Sequence, residues 1–390
     1  MISIINKQKC SGCKACANAC PVDAISFELD REGFWYPIVN SEKCINCGKC
    51  EKVCPYNKKE HGIPAVNNEY EAIFFAAQLK KQSELKTVSS GGAFQAVAET
   101  VLNKNGIIYG AIQENVDHIY HIRVSDFEKL KLTRRSKYLH SDIGSCYRFA
   151  EQDLKSGRIV LFSGTGCQIA GLNCYLDKRY NNLYTCEVVC HGVPSQTIWE
   201  KYRHEKESAE GKHIIDLIFR DKSKGWSQNQ YKIVYENGKI EYERSTVQLF
   251  HAGYLNGFFY RPSCGSCPFA SMPRVADITL ADYWKYKGSM MIGDMGVSLV
   301  AVNNDHGLEL LNMSEQLLNL EGTLREYALD SCKHMDENPT ANPLRESFIN
   351  MALKDGYFMA ARKYIVAGFP LKVRMKKIIR KIFRRVSKWR

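Results

Sequence analysis

Short apolar blocks alternate with stretches of helical period over most of the chain. Blocks that predict strands lie at 72–79, 106–112, 158–162, 183–189, 276–280 and 297–302. Segments with apolar positions three and four apart, which predict helices, lie at 93–103, 143–155, 168–176 and 196–205. Residues 214–243 read as two or three further β segments with a turn at Glu236-Asn237-Gly238. The alternation predicts an α/β domain built on a largely parallel or mixed sheet.

The first sixty residues follow a different pattern. Residues 24–29 alternate like a short strand, residues 30–33 form a turn, and residues 34–39 return as a second strand. This hairpin lies between two groups of cysteines, and residues 58–69 after them are polar and read as a linker. The pattern predicts a small N-terminal unit ahead of the α/β domain.

The two cysteine groups form the internal repeat of the chain. Each has the spacing C-x2-C-x2-C-x3-C-P, and the second run begins 34 residues after the first. In bacterial ferredoxins the first three cysteines of such a run bind one four-iron cluster, and the fourth binds the other. We therefore predict two [4Fe-4S] clusters. Site I comprises Cys10, Cys13, Cys16 and Cys54, and site II comprises Cys20, Cys44, Cys47 and Cys50. Zinc knuckles or a disulfide knot are the alternatives, but zinc sites usually show paired C-x2-C units.

Three glycine-containing turns come after predicted strands. They span residues 89–92, 163–168 and 190–195. We expect all three at the carboxyl edge of the sheet, where open α/β sheets bind ligands. The first opens a helix and suits phosphate binding, although serine capping of that helix is the alternative. None has the G-x-G-x-x-G pattern, so a standard Rossmann dinucleotide site is not supported.

Eight of the sixteen cysteines lie outside the ferredoxin runs. Cys264 and Cys267 have metal-type spacing, and Cys167 and Cys190 each lie on one of the turns. We predict a third cluster at these four, called site III, with a structural zinc, a redox dithiol and buried thiols as alternatives. The remaining four are read as core residues: Cys146, Cys174, Cys186 and Cys332. His191, next to Cys190, is a candidate catalytic residue that could polarise a substrate, or a structural histidine.

Composition and charge narrow the classes of protein. A hydrophobic content of 45% with 25% charged residues is typical of a soluble globular protein. No run of 18 apolar residues and no secretory h-region occur, so the cysteines are expected in a reducing cytoplasm. The net charge is +12, but residues 361–390 hold 12 Lys or Arg and no Asp or Glu, which leaves 42 basic against 42 acidic residues elsewhere. We therefore expect no nucleic-acid-binding face.

The basic tail has a helical pattern of its own. Over residues 371–390 apolar side chains recur at spacings of three and four, and Lys or Arg fill the other face. This predicts an amphipathic helix on an anionic membrane surface, placing the chain at the inner face of the cell membrane. An RNA-binding tail or docking to an acidic partner are the alternatives.

Several separated segments together resemble one family. They are SSGGAF at 89–94, RSKY at 135–138, LFSGTGCQIAGL at 161–172, VVCHGVPS at 188–195, FRDK at 219–222, RPSCGSCPF at 261–269 and DITLADYW at 277–284. With the ferredoxin runs, they make the chain similar to the coenzyme F420 hydrogenase/dehydrogenase beta-subunit family, in its bacterial branch fused to a ferredoxin module. One departure is Gly166, where the family usually has proline.

The resemblance implies an iron–sulfur flavoprotein oxidoreductase. Electrons would pass between the clusters and FAD, and on to or from an organic substrate, with a role in surface polysaccharide biosynthesis suggested by bacterial relatives. An electron-transfer subunit without its own substrate is the alternative. Expected partners are a ferredoxin or a hydrogenase/dehydrogenase-type subunit. The residues expected to bind FAD are Ser89, Ser90, Gly91, Gly92, Lys137, Gly164, Thr165, Gly166 and Gln168. Lys137 belongs to a basic patch with Arg134 and Arg135, whose alternative reading is a solvated loop.

The predicted fold class is α/β, or α+β for the whole chain. It comprises a small ferredoxin-type domain with two clusters, a larger mixed-sheet α/β flavin domain and a C-terminal amphipathic helix. The expected domains are 1–60 for the ferredoxin part, 65–180 and 181–345 for the two parts of the beta-subunit family, and 346–390 for a helical basic tail.

Overall fold

A computed structural model describes residues 2–3, 6–60, 71–245 and 247–366 of the chain. The amphipathic helix predicted at 371–390 lies outside these residues, and so does most of the linker predicted at 58–69. Within the described part of the chain, no helix is long and apolar enough to cross a membrane.

The N-terminal region is a hairpin with short helices on its flanks. Its elements are α1 (Ala15–Ala19), β1 (Ile25–Leu29), β2 (Trp35–Val39), α2 (Lys49–Lys52) and α3 (Pro55–Glu60). The two strands are antiparallel, with Phe27 opposite Pro37. The predicted hairpin is confirmed. After Pro55 the chain forms α3 instead of a second hairpin, and Lys58 of α3 pairs with Asp177 of the following domain at 2.6 Å.

The first half of the body alternates strands and helices, as the sequence predicted. Its elements are β3 (Ile73–Leu79), α4 (Ala93–Asn103), β4 (Ile107–Gln113), β5 (Ile119–Val124), α5 (Phe127–Leu132), β6 (Ser141–Asp142), α6 (Cys146–Lys155), β7 (Val160–Thr165), α7 (Gly166–Leu176), β8 (Leu183–Val188) and α8 (Gln196–Glu210). Three predicted helix bounds shift: α6 begins at Cys146 and not at 143, and two further bounds shift for local reasons. Helix α7 begins at Gly166 and not at 168, because Thr165 and Gln168 form a capping box there. Helix α8 continues to Glu210, where Gly211 ends it with a φ of 67°.

The second half adds a β-rich segment and a helical C-terminal end. Its elements are β9 (Ile214–Asp221), β10 (Gln230–Tyr235), β11 (Ile240–Arg244), α9 (Leu249–Leu255), β12 (Ile278–Asp282), β13 (Ser298–Val302), α10 (Asp305–Met313), β14 (Leu318–Thr323), α11 (Arg325–Ser331), α12 (Arg345–Asp355) and α13 (Tyr357–Tyr364). Strands β9, β10 and β11 form a separate antiparallel sheet. The sequence predicted two or three β segments within 214–243, and the structure has three.

The main sheet has nine strands in the order β14-β3-β13-β12-β8-β7-β4-β5-β6. Strands β3, β12, β8, β7 and β4 run in one direction, and the other four run against them. The predicted fold class, with a small ferredoxin-like region and a larger mixed-sheet domain, is confirmed. The sheet draws strands from both sides of the domain boundary expected at 180–181, so those two parts share one sheet; the boundaries themselves stay predictions.

Helix packing buries both faces of this sheet and joins the N-terminal region to it. Ala15 of α1 is fully buried in the same core as Tyr147 of α6 and Ile169 of α7. Arg148 of α6 donates to the carbonyls of Asn18 at 2.6 Å and Cys20 at 2.7 Å. The ferredoxin-like region therefore lies against α6 and α7, beside the carboxyl end of β7.

Candidate functional site

The four thiols of site I line one cavity. Cys10, Cys13, Cys16 and Cys54 face it together with apolar side chains that include Ile2, Phe27 and Tyr56. The loop between Cys10 and Cys16 curls because Gly12 and Lys14 both have left-handed backbone angles, with φ of 74° and 60°. Cys54, from the other cysteine run, completes the cavity. Apolar side chains of this kind keep water away from a buried cluster.

The four thiols of site II line a second cavity. Cys20, Cys44, Cys47 and Cys50 face it with the apolar residues Val22, Ala24, Ile25 and Val39. The fourth cysteine of each run thus lines the cavity of the other run. This cross-over is the arrangement from which the two ligand sets were predicted, and the assignment of individual ligands stays a prediction.

Two thiols of site I, those of Cys13 and Cys16, have raised pKa values. Burial raises the pKa of Cys16 strongly, and the neighbouring thiols of Cys10 and Cys54 raise it further. Burial also raises the pKa of Cys13, although the backbone amide of Ala15 partly opposes this. Several thiolates cannot be buried side by side without positive charge, which the iron atoms of a cluster supply.

Among the described residues, no three His, Cys, Asp or Glu side chains converge closely enough to hold a single metal ion. In a four-iron cluster each thiolate binds a different iron atom, so its ligands stand apart around a wider centre. The absence of a site for one metal ion among the described residues is therefore compatible with four-iron clusters in the wider cavities of sites I and II.

The fold also brings together the four thiols of site III. Burial raises the pKa of Cys190 to about 12, with further upward contributions from the thiols of Cys264 and Cys167. Burial also raises the pKa of Cys267, with further upward contributions from Cys167, Cys264 and Cys190. Because these residues come from α7, the loop after β8 and the loop before β12, only the tertiary fold can assemble them.

Hydrogen-bond donors surround the site III sulfur atoms. The backbone amide of Gly192 donates to Cys190 Sγ at 3.3 Å, and that of Val193 donates to Cys264 Sγ at 3.4 Å. The Thr165 hydroxyl lies 3.2 Å from Cys167 Sγ. Donors aimed at sulfur stabilise thiolates and tune the potential of iron–sulfur clusters. This donor set fits a cluster, and the ligand assignment at site III stays a prediction.

Helix α7 connects sites I and III. A Cβ atom added to Gly171 of α7 would lie 3.1 Å from Cys13 Sγ, so the helix backbone passes directly under a site I thiol. Cys167 lies one turn earlier on the same helix and contributes to raising the pKa of Cys13. Sites I and III are therefore neighbours across a single helix turn.

The first turn expected to bind FAD is packed into the protein. Gly91 lies so close to the backbone of β3 that a Cβ atom would meet Ala77 O at 2.1 Å. The Ser90 hydroxyl donates to Val297 O at 2.7 Å, and the Ser89 hydroxyl pairs with that of Ser136 at 3.1 Å. The turn also does not follow its strand directly, because β3 ends at Leu79 and a short 3-10 helix at Gln82–Glu84 intervenes.

The second expected FAD turn also has partners within the protein. The Gln168 side chain accepts from the Thr165 amide at 3.0 Å, and Gln168 Nε2 donates to Ser141 O at 2.9 Å. A Cβ atom at Gly166 would meet Glu187 Oε2 at 2.7 Å, which places a buried carboxylate at the N-terminus of α7. The Glu187 carboxylate therefore lies at the positive N-terminal end of α7, which is where a phosphate group of FAD would be expected to bind.

The close approach of Glu187 also explains the missing proline. Proline carries a Cβ atom, and at position 166 this atom would overlap both the Glu187 carboxylate and Phe269 O. Glycine at 166 and the buried Glu187 are therefore mutually adapted in this chain.

Two of the three side chains in the basic patch, Lys137 and Arg134, donate hydrogen bonds to groups within the protein. Lys137 Nζ donates to the carbonyls of Thr133 at 3.0 Å and Arg134 at 2.8 Å, and burial lowers the pKa of Lys137 to about 7. Arg134 donates to Thr87 Oγ1, Gln95 Oε1 and Glu84, while Arg135 is exposed. The assignment of this patch and of both turns to FAD stays a prediction.

His191 lies beside site III within a group of rings. Its ring centroid is 4.3 Å from that of His334 and 5.5 Å from that of Tyr254. Burial and the neighbouring His334 lower the pKa of His191 to about 4, so it is neutral at pH 7. A neutral imidazole has one nitrogen that donates a hydrogen bond and one that accepts. The catalytic role of His191 stays a prediction.

Arg261 was not among the predicted site residues, and its side chain reaches from the body into the ferredoxin-like region. Its Nε donates to Cys10 O at 2.7 Å, and its Nη2 lies 3.6 Å from Cys10 Sγ. The sequence feature that could have indicated Arg261 is its position three residues before Cys264, in a segment already noted for its cysteines.

Comparison with known families agrees with this arrangement. Residues 157–323 match the family described as the C terminus of the beta subunit in coenzyme F420 hydrogenase/dehydrogenase. These residues belong to the coenzyme F420 hydrogenase/dehydrogenase beta-subunit family. Residues 9–58 and residues 36–89 each match a 4Fe-4S dicluster domain. The resemblance inferred from the sequence segments is confirmed by the family match over residues 157–323 together with the N-terminal 4Fe-4S dicluster matches. Placement in the bacterial branch stays a prediction.

A solved structure also resembles the chain. It is titled the xenon derivatization of the F420-reducing [NiFe] hydrogenase complex from Methanosarcina barkeri. The match has 16% sequence identity and a TM-score of 0.45, and covers 67% of this chain and 89% of that one. No curated protein matches the chain.

Proposed function

We propose that the chain is an electron relay with three [4Fe-4S] clusters, held at sites II, I and III in that order. The observation that carries the proposal is the position of helix α7, which lies under Cys13 of site I and bears Cys167 of site III. The clusters would supply reversible one-electron transfer, and the chain's own residues would hold, order and shield them.

Exposure supports site II as the place of electron uptake. Cys47 of site II is exposed, and the neighbouring Ile45 is 60% exposed. At site I, by contrast, Cys16 and Cys54 are buried and α7 covers Cys13. A redox partner, such as a ferredoxin or a hydrogenase/dehydrogenase-type subunit, can therefore approach site II more closely than site I.

We infer the acceptor of the electrons from the family resemblance alone. The resemblance implies FAD and an organic substrate, and it suggests a role in surface polysaccharide synthesis. The residues expected to bind FAD form hydrogen bonds within the protein. The alternative, a subunit that passes electrons to a partner enzyme, is favoured by those same internal contacts.

The first test is the cofactor content of anaerobically purified protein. Iron, acid-labile sulfide and released flavin should be measured per chain. About twelve iron atoms are expected for three four-iron clusters, and about eight if site III holds none. Zinc in place of iron and sulfide would contradict the relay. One FAD per chain would add the flavoenzyme step, and its absence after reconstitution would leave the electron-transfer subunit.

The second test assigns the clusters to their sites. Cys47→Ser, Cys13→Ser and Cys264→Ser each remove one thiol from site II, I or III, and each should alter a different EPR signal of the reduced protein. Cys332→Ser is the control, because Cys332 belongs to none of the sites and lies in another part of the core. With dithionite-reduced ferredoxin as donor, Cys47→Ser should slow reduction of all remaining clusters.

A further inference from the structure

Arg261 is a buried cation that has no carboxylate partner among the residues that the structure describes. Its side chain is only 1% exposed. Its hydrogen-bond partners within the described residues are the carbonyls of Cys10 and Trp35, both at 2.7 Å, and the Cys10 sulfur. Nη1 has no hydrogen-bond partner among those residues. The comparable buried guanidinium of Arg274 instead pairs with the Glu187 carboxylate at 2.6 Å.

A buried, unpaired guanidinium is costly unless a negative charge lies close to it. The thiols of site I become anionic when they bind iron, and one of them, Cys10 Sγ, lies 3.6 Å from Arg261 Nη2. Four thiolates make a four-iron cluster anionic, and one-electron reduction adds a further negative charge. On its other side Arg261 borders site III, because the backbone amide of Cys264 donates to Arg261 O at 2.9 Å.

The geometry around Arg261 is built to hold it at this place. The guanidinium stacks on the Tyr36 ring, with Cζ 4.3 Å from the centroid. Gly12, with φ of 74°, leaves room for it, since a Cβ atom there would lie 3.1 Å from Nη1. The Arg261 amide donates to Val193 O at 2.8 Å, which ties the residue to the loop that carries Cys190.

We propose that Arg261 is a positioning residue that raises the reduction potential of the site I cluster. A cation that donates to a ligand sulfur stabilises the reduced cluster more than the oxidised one, because the reduced cluster is more negative. Electrons arriving from site II would thereby be drawn to site I. The inference rests on the proposed function, since it requires a cluster at site I.

The test is a potentiometric titration of the full, anaerobically reconstituted chain, followed by EPR. Arg261→Gln should lower one cluster midpoint so that its equilibrium constant for reduction falls at least tenfold, equivalent to about 59 mV for one electron. Arg261→Lys keeps the charge but loses the fork-shaped donor, so its midpoint should lie between those of the unsubstituted protein and Arg261→Gln.

Arg148→Gln is the matched control. Arg148 also binds the ferredoxin-like region, through the carbonyls of Ala17, Asn18 and Cys20, but it donates to no sulfur atom among the described residues. Its loss should weaken docking and leave all midpoints unchanged. Equal shifts in Arg261→Gln and Arg148→Gln would reduce Arg261 to a docking residue, and no shift in Arg261→Gln would also overturn the proposal.

A measurement on the unsubstituted chain covers the case in which Arg261→Gln fails to assemble a cluster. With ¹⁵N-labelled arginine, pulsed EPR of the reduced protein should detect a nitrogen coupled to one cluster, and its absence would overturn the proposal. Iron and sulfide analysis separates the two levels. A chain without a cluster at site I overturns both the relay and this inference, whereas an intact cluster with no arginine coupling overturns the inference alone.

Discussion

Single glycines decide how closely the sites approach one another. Gly171 allows α7 to pass under Cys13, where an added Cβ atom would lie 3.1 Å from the sulfur and 2.9 Å from Tyr147 Oη. Its small size therefore has a direct consequence for site I.

We predict that Gly171→Ala displaces Cys13 and lowers the iron and sulfide content by the share of one cluster. Overpacking of this kind also costs about 1–3 kcal/mol of folding free energy. Gly322→Ala is the control, because no atom lies within 4 Å of the added methyl group. Full iron content in Gly171→Ala would show that Cys13 is not a ligand or that the helix yields.

Buried histidines predict how stability depends on pH. His251 is 2% exposed, its Nδ1 lies 2.7 Å from the Tyr231 hydroxyl, and burial together with the charge of Arg220 lowers its pKa to about 3. An unfolded histidine takes up its proton near pH 6.5, whereas the folded one stays neutral until about pH 3. Stability is therefore complete above pH 6.5 and decreases as the pH falls through this window.

We predict that His251→Gln reduces the loss of stability between about pH 7 and pH 5. The amide can still bond to Tyr231, but it takes up no proton, which removes up to about 1.4 kcal/mol per pH unit. Thermal unfolding midpoints at several pH values measure the effect. The exposed His213→Gln should keep the slope of the unsubstituted protein, and an unchanged slope in His251→Gln would contradict the prediction.

At the scale of elements, strands β8 and β12 are joined by more than their backbone pairing. Glu187 of β8 accepts from Arg274 at 2.6 Å and from Thr279 of β12 at 2.8 Å, and both members of the ion pair are buried. The loop after β8 carries Cys190, and the loop that leads into β12 carries both Cys267 and Arg274, so the ion pair joins two segments that bear site III thiols.

We predict that Arg274→Met destabilises the protein by about 3–5 kcal/mol, because it leaves the Glu187 carboxylate buried without its partner. Anaerobic urea denaturation measures the change, and Glu187→Gln in the same chain should recover part of it. Lys285→Met, which breaks the exposed pair with Asp330, should have little effect. A small effect of Arg274→Met would mean that other groups neutralise Glu187.

At the scale of the whole molecule, the ferredoxin-like region presents one site outward and the other inward. Site II carries the exposed Cys47, whereas α7 and the body cover site I. Arg345 adds a further link to this region through Glu32 at 2.6 Å. The two clusters should therefore differ in their access to solvent.

We predict that oxygen destroys the two clusters of the ferredoxin-like region at different rates. In air, the EPR signal lost in Cys47→Ser should disappear first, and the signal lost in Cys13→Ser should follow in a slower phase. The order follows from exposure, because oxygen must reach the cluster to react with it. Equal rates for both signals would contradict the docking of site I against α7.

Local patterns predicted much of the fold. Apolar alternation and period located β3, α4, β7, α7 and β8 to within a few residues, and cysteine spacing alone predicted which four thiols line each cavity of the ferredoxin-like region. These features depend on neighbours a few residues apart, where backbone geometry leaves few alternatives. The family resemblance was likewise visible in short segments.

The remaining features depended on contacts between distant residues. Arg261 meets Cys10 across 251 positions, and Gly171 meets Cys13 only because α1 packs on α7. The internal partners of Lys137 and of the turn at 89–92 were also invisible, because glycine and lysine patterns do not reveal whether a turn faces solvent or a strand.

The sequence by itself determined that this is an iron–sulfur protein with a mixed α/β body, since those properties follow from spacing and periodicity. The tertiary structure decided that α7, which bears Cys167, passes beside Cys13 of site I. It also decided that Arg261 donates to Cys10 and that the loop of Cys190 lies against Cys264. Such encounters are set by strand order and helix packing, which bring together residues whose separation along the chain carries no information about their distance in space.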